Sequence, residues 1–230
     1  MRISYKDIPK MIDVSCVRTD VTYEEIKAMA LCSIKYGFIC AFAMPCFTKM
    51  LKEYLLGSNV MLGGVVGFPS GADTMQQKID CAKYMKSLGC DEIDMVINVG
   101  ALRSRDDAFV SEEIEKVVEA ADGIPVKSIL EIAYLTDDEI IRGCKAAVKG
   151  GVTFVKSGTG WASKPTIVET IELMKKAVGN TAKIKAAGGV RTLNDLEAMA
   201  EAGCERFGIS MNSALNILKE AYDRDGVEFK

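Results

Sequence analysis

The sequence predicts an α/β protein folded as a (β/α)8 TIM barrel, one domain over residues 1–230, and three observations carry that expectation. Apolar, strand-like runs alternate strictly with helical stretches, which implies parallel strands joined by right-handed crossovers. Eight such strand–helix pairs fit into one domain-sized chain, which favours a closed barrel over an open doubly wound sheet. No linker, low-complexity segment or charge block divides the 230 residues. A Rossmann-type sheet is the rival. It needs G-x-G-x-x-G after the first strand, whereas Gly63-Gly64 and Gly67 lie inside and after the third.

Residues 4–10 read as a short polar helix or turn ahead of strand 12–17. Thr22 and Glu25 form a capping box for a helix over 22–36, which Gly37 stops. Strand 38–43 follows, and Pro45 opens helix 46–56. Strand 59–68 leads through a Pro-Ser-Gly turn into helix 74–88, closed by Gly89. Strand 92–98 carries polar residues on one face. Helix 106–121, strand 126–132, helix 136–149 and strand 152–157 come next. Helix 164–178, strand 182–187, helix 192–202, strand 204–209 and a last helix from about 211 complete the alternation.

Composition narrows the chemistry. With 49% hydrophobic and 27% charged residues the chain is ordinary for a globular protein. A net charge of -3 argues against a nucleic-acid surface built on bulk charge. No apolar run reaches the ~18 residues of a membrane span. The N-terminal MRISYKDIPKMID lacks a secretory apolar region, so a cytoplasmic location is expected. None of the 8 cysteines is spaced C-x-x-C, and they read as reduced core residues. Histidine is absent. That excludes Ser-His and Cys-His nucleophile pairs and zinc sites that need imidazole. Carboxylates, lysines, tyrosines and thiols remain.

In a barrel the C-terminal strand ends and the loops after them form the active site. Those ends supply Asp13, Asp94, Asn98, Glu131, Lys156, Lys185 and Arg191. Alternation puts Val152, Phe154 and Lys156 on one face, Glu92, Asp94, Val96 and Asn98 on another, and Lys183, Lys185 and Ala187 on a third. Lys156 and Lys185 therefore face each other from neighbouring strands, with Asp94 two strands away. Repulsion and burial both disfavour a charged lysine. Lowering a lysine from ~10.4 to ~7 takes roughly 4.6 kcal/mol of differential interaction. A neutral amine can attack a carbonyl and form a Schiff base. The competing readings are a snorkelling Lys156 and a structural ion pair of Lys185 with Asp94 or Glu131. Residues 186–192 and 208–213 follow strands seven and eight, where this fold binds phosphate at a helix start. Plain tight turns are the alternative for their glycines.

Together these residues resemble the deoxyribose-phosphate aldolase family, class I aldolases on a (β/α)8 barrel. The likeness covers nearly the whole chain. It is clearest in Val65-Val-Gly-Phe-Pro-Ser-Gly-Ala72, Glu92-Ile-Asp-Met-Val-Ile-Asn-Val-Gly-Ala-Leu102, Phe154-Val-Lys-Ser-Gly-Thr-Gly160 and Ile184-Lys-Ala-Ala-Gly-Gly-Val-Arg-Thr192. The resemblance implies Lys156 as Schiff-base nucleophile, Lys185 as the lysine that lowers its pKa, and Asp94 as a proton relay with Lys185 and a water. Asp13, Thr159, Gly160, Gly188, Gly189, Gly208 and Ser210 would hold the substrate's hydroxyl and phosphate groups. The implied reaction is reversible cleavage of 2-deoxy-D-ribose 5-phosphate to D-glyceraldehyde 3-phosphate and acetaldehyde. No metal or cofactor is implied, the partner is a small sugar phosphate or aldehyde, and a homodimer is expected.

The sequence departs from the family pattern at several places. Asp13-Val14-Ser15 stands for Asp-His-Thr, Met44-Pro45 for Asn-Pro, and Lys156-Ser-Gly-Thr-Gly160 for Lys-Thr-Ser-Thr-Gly. In the last loop Ser210-Met211-Asn212 replaces Ser-Ser-Gly, removing a hydroxyl donor and restricting close backbone approach. No C-terminal tyrosine matches clearly, and Tyr222 is the nearest candidate. The alternatives are a Schiff-base aldolase for another hydroxy-aldehyde or ketone, and a non-catalytic sugar-phosphate-binding barrel.

Overall fold

Four capping boxes fix where the chain turns from strand-end loop into helix. In the computed structural model, which describes residues 1–229, Thr22, Thr74, Thr136 and Thr192 each accept from the backbone three residues on. The side chains of Glu25, Gln77, Glu139 and Asp195 accept in return from the cap residue's own N–H. Between such helices lie β1 (Ile12–Cys16), β2 (Cys40–Ala43), β3 (Met61–Val66), β4 (Glu92–Val96), β5 (Val126–Ile129), β6 (Phe154–Lys156), β7 (Lys183–Ala187) and β8 (Cys204–Ile209). All pair in parallel in chain order, and β8 returns to β1 with Asp13 opposite Gly208. The barrel is closed.

The helices are α1 (Tyr23–Tyr36), α2 (Pro45–Leu55), α3 (Met75–Ser87), α4 (Val99–Arg103), α5 (Asp107–Ala121), α6 (Asp137–Lys149), α7 (Val168–Val178), α8 (Leu193–Glu201) and α9 (Met211–Arg224). Among the described residues no helix is long and apolar enough to cross a membrane. Outward strand residues such as Val14, Ala41, Ile93, Met95, Val155, Ile184 and Phe207 form the main core with the helices. Inside the barrel the buried apolar cluster shrinks to Cys40, Phe42 and Val65. Phe154 is also buried there, beside the charged side chains of Lys127 and Arg206, and buried charged groups occupy much of the remaining interior.

Several boundaries differ from the sequence expectation, each for a local reason. Helix α7 begins at Val168 rather than 164 because Thr166 is tied down instead: its N–H donates to the Gly188 carbonyl at 2.9 Å, and its hydroxyl lies 2.8 Å from both Ser157 Oγ and the Ala187 carbonyl. The short helix α4 is an additional element, capped by Asn98, whose side chain accepts from Ala101 N–H. Strand β5 ends at Ile129, and Glu131 adopts a left-handed conformation with φ of 56°. The 8 cysteines are all free, five of them buried, and Cys46 is exposed.

One ion pair lies wholly in the helix layer. Lys78 on α3 and Glu113 on α5 meet at 2.8 Å with both side chains fully buried. Lys78 Nζ also donates to the Val96 carbonyl at 2.9 Å, and Glu113 accepts from Asn98 N–H at 3.0 Å. Charged groups thus satisfy the backbone at the end of β4, where no strand partner does.

Gly63 on β3 makes room for the Phe42 ring: a Cβ there would come within 2.3 Å of it. Gly63→Ala is expected to lower stability by about 1–3 kcal/mol through overpacking. Urea midpoints would show it, and Phe42→Leu in the same chain should restore most of the loss.

Candidate active site

A ladder of buried charges runs up the barrel axis. At its lower end Arg206 on β8 donates to Asp13 at 2.6 Å and Glu92 at 2.5 Å. Lys127 on β5 also bonds Glu92, and lies 3.4 Å from Asp13 and 3.3 Å from Asp94. Above it Lys185 donates to Asp13 at 2.6 Å and Asp94 at 2.7 Å. Lys156 tops the ladder, bonded to the same Asp94 oxygen at 2.8 Å. The Phe42 ring faces Lys185 and Lys127, with centroid distances of 4.4 and 4.8 Å.

Four cations share three carboxylates, so the fully ionised set carries one excess positive charge in a dry interior (4 − 3 = 1). Lys156 is where that excess is relieved. Burial first, then the charges of Lys185 and Lys127, lower its pKa to about 8, against the opposing pull of Asp94. Burial alone would raise the Asp94 carboxyl, but Lys156, Lys185 and Lys127 hold it well below the usual carboxylate range. Burial likewise works against a charged Lys127, yet Asp13, Asp94 and Glu92 hold it well above the ordinary lysine value. The ladder holds Lys127 and Arg206 charged and lowers the amine at its top.

Two cavities with part of their lining in common lie above. The inner one is bordered by Asp94, Lys156 and Lys185, with Phe42, Val65 and Phe68 as its apolar wall. The outer one is bordered by Gly160, Gly188, Gly189, Arg191, Ser210 and Ser213, and by Arg18 and Trp161 at the rim. Ser15, Val17, Thr159 and Gly208 line both. Gly188 and Gly189, on the border of the outer cavity, have φ of 84° and 99°, a left-handed pair that other residues would strain. Gly208 leaves passage for Lys185, whose Cε would sit 3.2 Å from any Cβ there.

The residues expected from sequence divide into three groups. Lys156, Lys185 and Asp94 converge as described, and Thr159, Gly160, Gly188, Gly189, Gly208 and Ser210 border the cavities. Asp13 borders the inner cavity too, but its Oδ1 is taken by Arg206 and its Oδ2 by Lys185 and Lys127. It is a rung of the ladder rather than a free ligand. Ser210 is the N-cap of α9, accepting from Ser213 N–H at 3.4 Å while donating to Ser213 Oγ at 3.2 Å. Asn98 caps α4 instead of facing inward. Glu131 serves Thr159, accepting its N–H and its hydroxyl. Tyr222 lies far from the cavities, packed against Tyr5 at 4.5 Å and Phe229 at 5.3 Å.

Lys127 and Arg206 are ladder members that the list of strand ends omits, because they sit one pleat below those ends. Their alternation with Ile129 and Gly208 is the signal that could have found them. Asp13, Cys40 and Glu92 bring potential metal-ligating atoms within 4.8 Å of one another. Burial pushes the Cys40 thiol well up, and both carboxylates already accept from Arg206 and Lys127, so this donor set is spent on internal cations.

Comparison with known proteins agrees with this geometry. The family model described as DeoC/LacD family aldolase matches residues 48–218. A deoxyribose-phosphate aldolase of Listeria monocytogenes is 43% identical over 90% of this chain and 94% of its own length. One of Sinorhizobium medicae is 39% identical over 94% of this chain and 87% of its own. Among solved structures, an aldolase designated QR15 superposes with a TM-score of 0.89 at 29% identity, covering 95% of this chain and 97% of that one. The deoxyribose phosphate aldolase of Aeropyrum pernix, described as a tetramer, gives 0.85 at 26% identity over 97% and 94% of the two chains. A barrel with a lowered-pKa lysine beside a second lysine and a shared aspartate, matched by that family model over residues 48–218 and by those relatives over 90% or more of its length, belongs to the DeoC/LacD family of aldolases.

Proposed function

We propose that this aldolase works through a Schiff base on Lys156 and that its substrate is 2-deoxy-D-ribose 5-phosphate. The observation that carries the proposal is the Lys156 amine, buried against Asp94 and lowered to about 8 at the floor of an open cavity. The neutral amine attacks the C1 aldehyde of the open-chain sugar, and loss of water leaves an iminium. Removal of the C3 hydroxyl proton then breaks the C2–C3 bond, and the electron pair moves into the iminium to form an enamine. Glyceraldehyde 3-phosphate departs. Protonation of the enamine and addition of water release acetaldehyde and regenerate Lys156. Asp94 and Lys185, joined at 2.7 Å, are placed to pass these protons between the substrate and water.

The outer cavity takes the phosphate. The backbone of Gly188-Gly189, the start of α9 with Ser210 and Ser213, and the guanidinium groups of Arg18 and Arg191 surround it. Arg18 is shared with Asp20 at 2.9 Å and Glu25 at 2.7 Å, which weakens its pull on an anion. Met211 and Asn212 supply no hydroxyl and no glycine at this loop. These features favour a second reading, the same chemistry on an unphosphorylated or differently phosphorylated hydroxy-aldehyde. A preference for deoxyribose 5-phosphate over deoxyribose below about tenfold in kcat/KM (~1.4 kcal/mol) would select it.

Borohydride reduction in the presence of acetaldehyde should leave a stable mass adduct on Lys156, absent in Lys156→Ala. No adduct on the wild-type chain would falsify the aldolase mechanism and favour a barrel that only binds sugar phosphates. The neutral amine exists above its pKa, so kcat/KM should rise with pH to a plateau, with a midpoint near 8. Lys185→Leu removes a like charge from beside Lys156. It should move that midpoint upward and slow turnover at neutral pH. An unchanged midpoint with full neutral activity would sink the paired-lysine account.

A further inference from the structure

Glu131 is a buried acid outside the charge ladder, and no step above uses it. Its backbone is left-handed, with φ of 56°, an unfavourable conformation for glutamate. That turn delivers its carboxylate under the loop after β6. The Thr159 N–H lies 3.3 and 3.4 Å from its two oxygens, and the Thr159 hydroxyl makes a short contact with Oε2. Gly158 has no side chain where a Cβ would stand 2.9 Å from Glu131 Oε1. The loop is shaped around this one carboxylate.

A threonine hydroxyl has one proton to give and two lone pairs to accept with. A carboxylate only accepts, so the proton between Thr159 and Glu131 comes from Thr159. One lone pair of Thr159 Oγ1 is filled by the Trp161 N–H at 3.0 Å, and Trp161 in turn donates its indole N–H to the Val17 carbonyl at 3.0 Å. Thr159 borders both cavities, at the junction between the amine and the anion-binding rim. What it has left to offer a ligand is a single lone pair.

We infer that Glu131 is a positioning residue that fixes Thr159 as a hydrogen-bond acceptor, so that the site selects acceptor aldehydes carrying a free hydroxyl on the carbon next to the carbonyl. This rests on the aldolase reading above. A hydroxyl there donates to Thr159. An ether or carbonyl oxygen at the same place meets another acceptor and is repelled, and a methylene leaves the lone pair unmet.

The test runs the enzyme in the direction of addition, with acetaldehyde held as the enamine on Lys156. The enamine carbon bonds to the acceptor's carbonyl carbon, that carbonyl oxygen takes a proton, and water releases the product. Two size-matched pairs of acceptors are compared by kcat/KM: glycolaldehyde against propanal, and methoxyacetaldehyde against butanal. For the wild type we expect about a tenfold advantage in the first pair, the worth of one hydrogen bond, and none in the second. Glu131→Asn tolerates the left-handed backbone but is one methylene too short to reach Thr159. It frees the Thr159 proton, so the hydroxyl advantage should fall below about twofold and the ether advantage should appear. Glu131→Gln presents a carbonyl oxygen to the same donors and should keep the wild-type order.

A wild type that favours methoxyacetaldehyde over butanal as strongly as glycolaldehyde over propanal overturns the inference. So does a soluble Glu131→Asn with wild-type ratios, or a Glu131→Gln that loses the order. The wild-type and Gln arms decide the matter even if the Asn variant does not fold. Trapping with acetaldehyde separates this from failure of the aldolase reading: an adduct on Lys156 with the wrong ratios defeats only the role of Glu131.

Discussion

Asp94 is the constraint on which the rest of the site depends. One buried carboxylate is shared by Lys156, Lys185 and Lys127 at 2.8, 2.7 and 3.3 Å. Removing it would leave three ammonium groups facing one another in a medium that cannot screen them, an arrangement a barrel interior does not tolerate. Its presence has the opposite problem for catalysis, because an anion beside Lys156 favours the charged amine. The resolution is arithmetic. Asp94 is divided among three cations, so none receives its full attraction, and burial then tips the most accessible of them toward the neutral form. Arg206 and Lys127 have no access to a ligand, yet by occupying Asp13 and Glu92 they keep those carboxylates from stabilising a charged Lys156.

That division explains which parts of the site could be read from sequence. Alternation along strands is a strong signal, and it places Lys156, Lys185 and Asp94 on the inner face without any structure. What it cannot show is height along the axis. Asp13 and Asp94 look equivalent in sequence, each an inward acid on a strand, but Asp13 lies among Arg206, Lys127 and Lys185, where its oxygens are already used. Asn98 continues the inward phase of β4 on paper. In the folded chain β4 stops at Val96, and the Asn98 amide oxygen caps α4 because the backbone N–H groups of that helix need an acceptor. Glu131 is misplaced by the same reasoning: alternation assumes an extended backbone, and its φ of 56° breaks the assumption at that residue.

The fold was legible for a different reason. Helix starts were announced by local chemistry, Thr followed three residues on by Glu, Gln or Asp, and local chemistry does not wait for tertiary contacts. The start of α7 carries the same pattern in Thr166 and Glu169, but the folded chain does not use it as a cap, and the helix begins at Val168. Its position is set by Thr166 bonding across to Ser157 and Ala187 and by the Gly188 carbonyl, partners that become neighbours only once the barrel has closed. Boundaries fixed by distant partners are the ones that sequence misses, and here they fall at the cavity rim, where a loop must be shaped for a ligand rather than for its own stability.

Lys78 and Glu113 show how far that principle extends. On amphipathic helices a lysine and a glutamate read as solvent-facing by residue type, although Lys78 keeps register with Ala82 and Met85, and Glu113 with Val110 and Val117. Both are fully buried, and burial lowers the one and raises the other from their ordinary pKa values. They are kept because β4 ends there: the Val96 carbonyl and the Asn98 N–H have no strand to pair with, and a charged donor and acceptor satisfy them more firmly than water could inside a helix layer. Strand β4 is therefore gripped on both faces by charge, by three lysines acting on Asp94 within the barrel and by this ion pair behind it. A carboxylate that must divide itself among three cations needs a backbone that does not drift toward any of them. The pair in the helix layer supplies that rigidity from the side where no ligand ever comes.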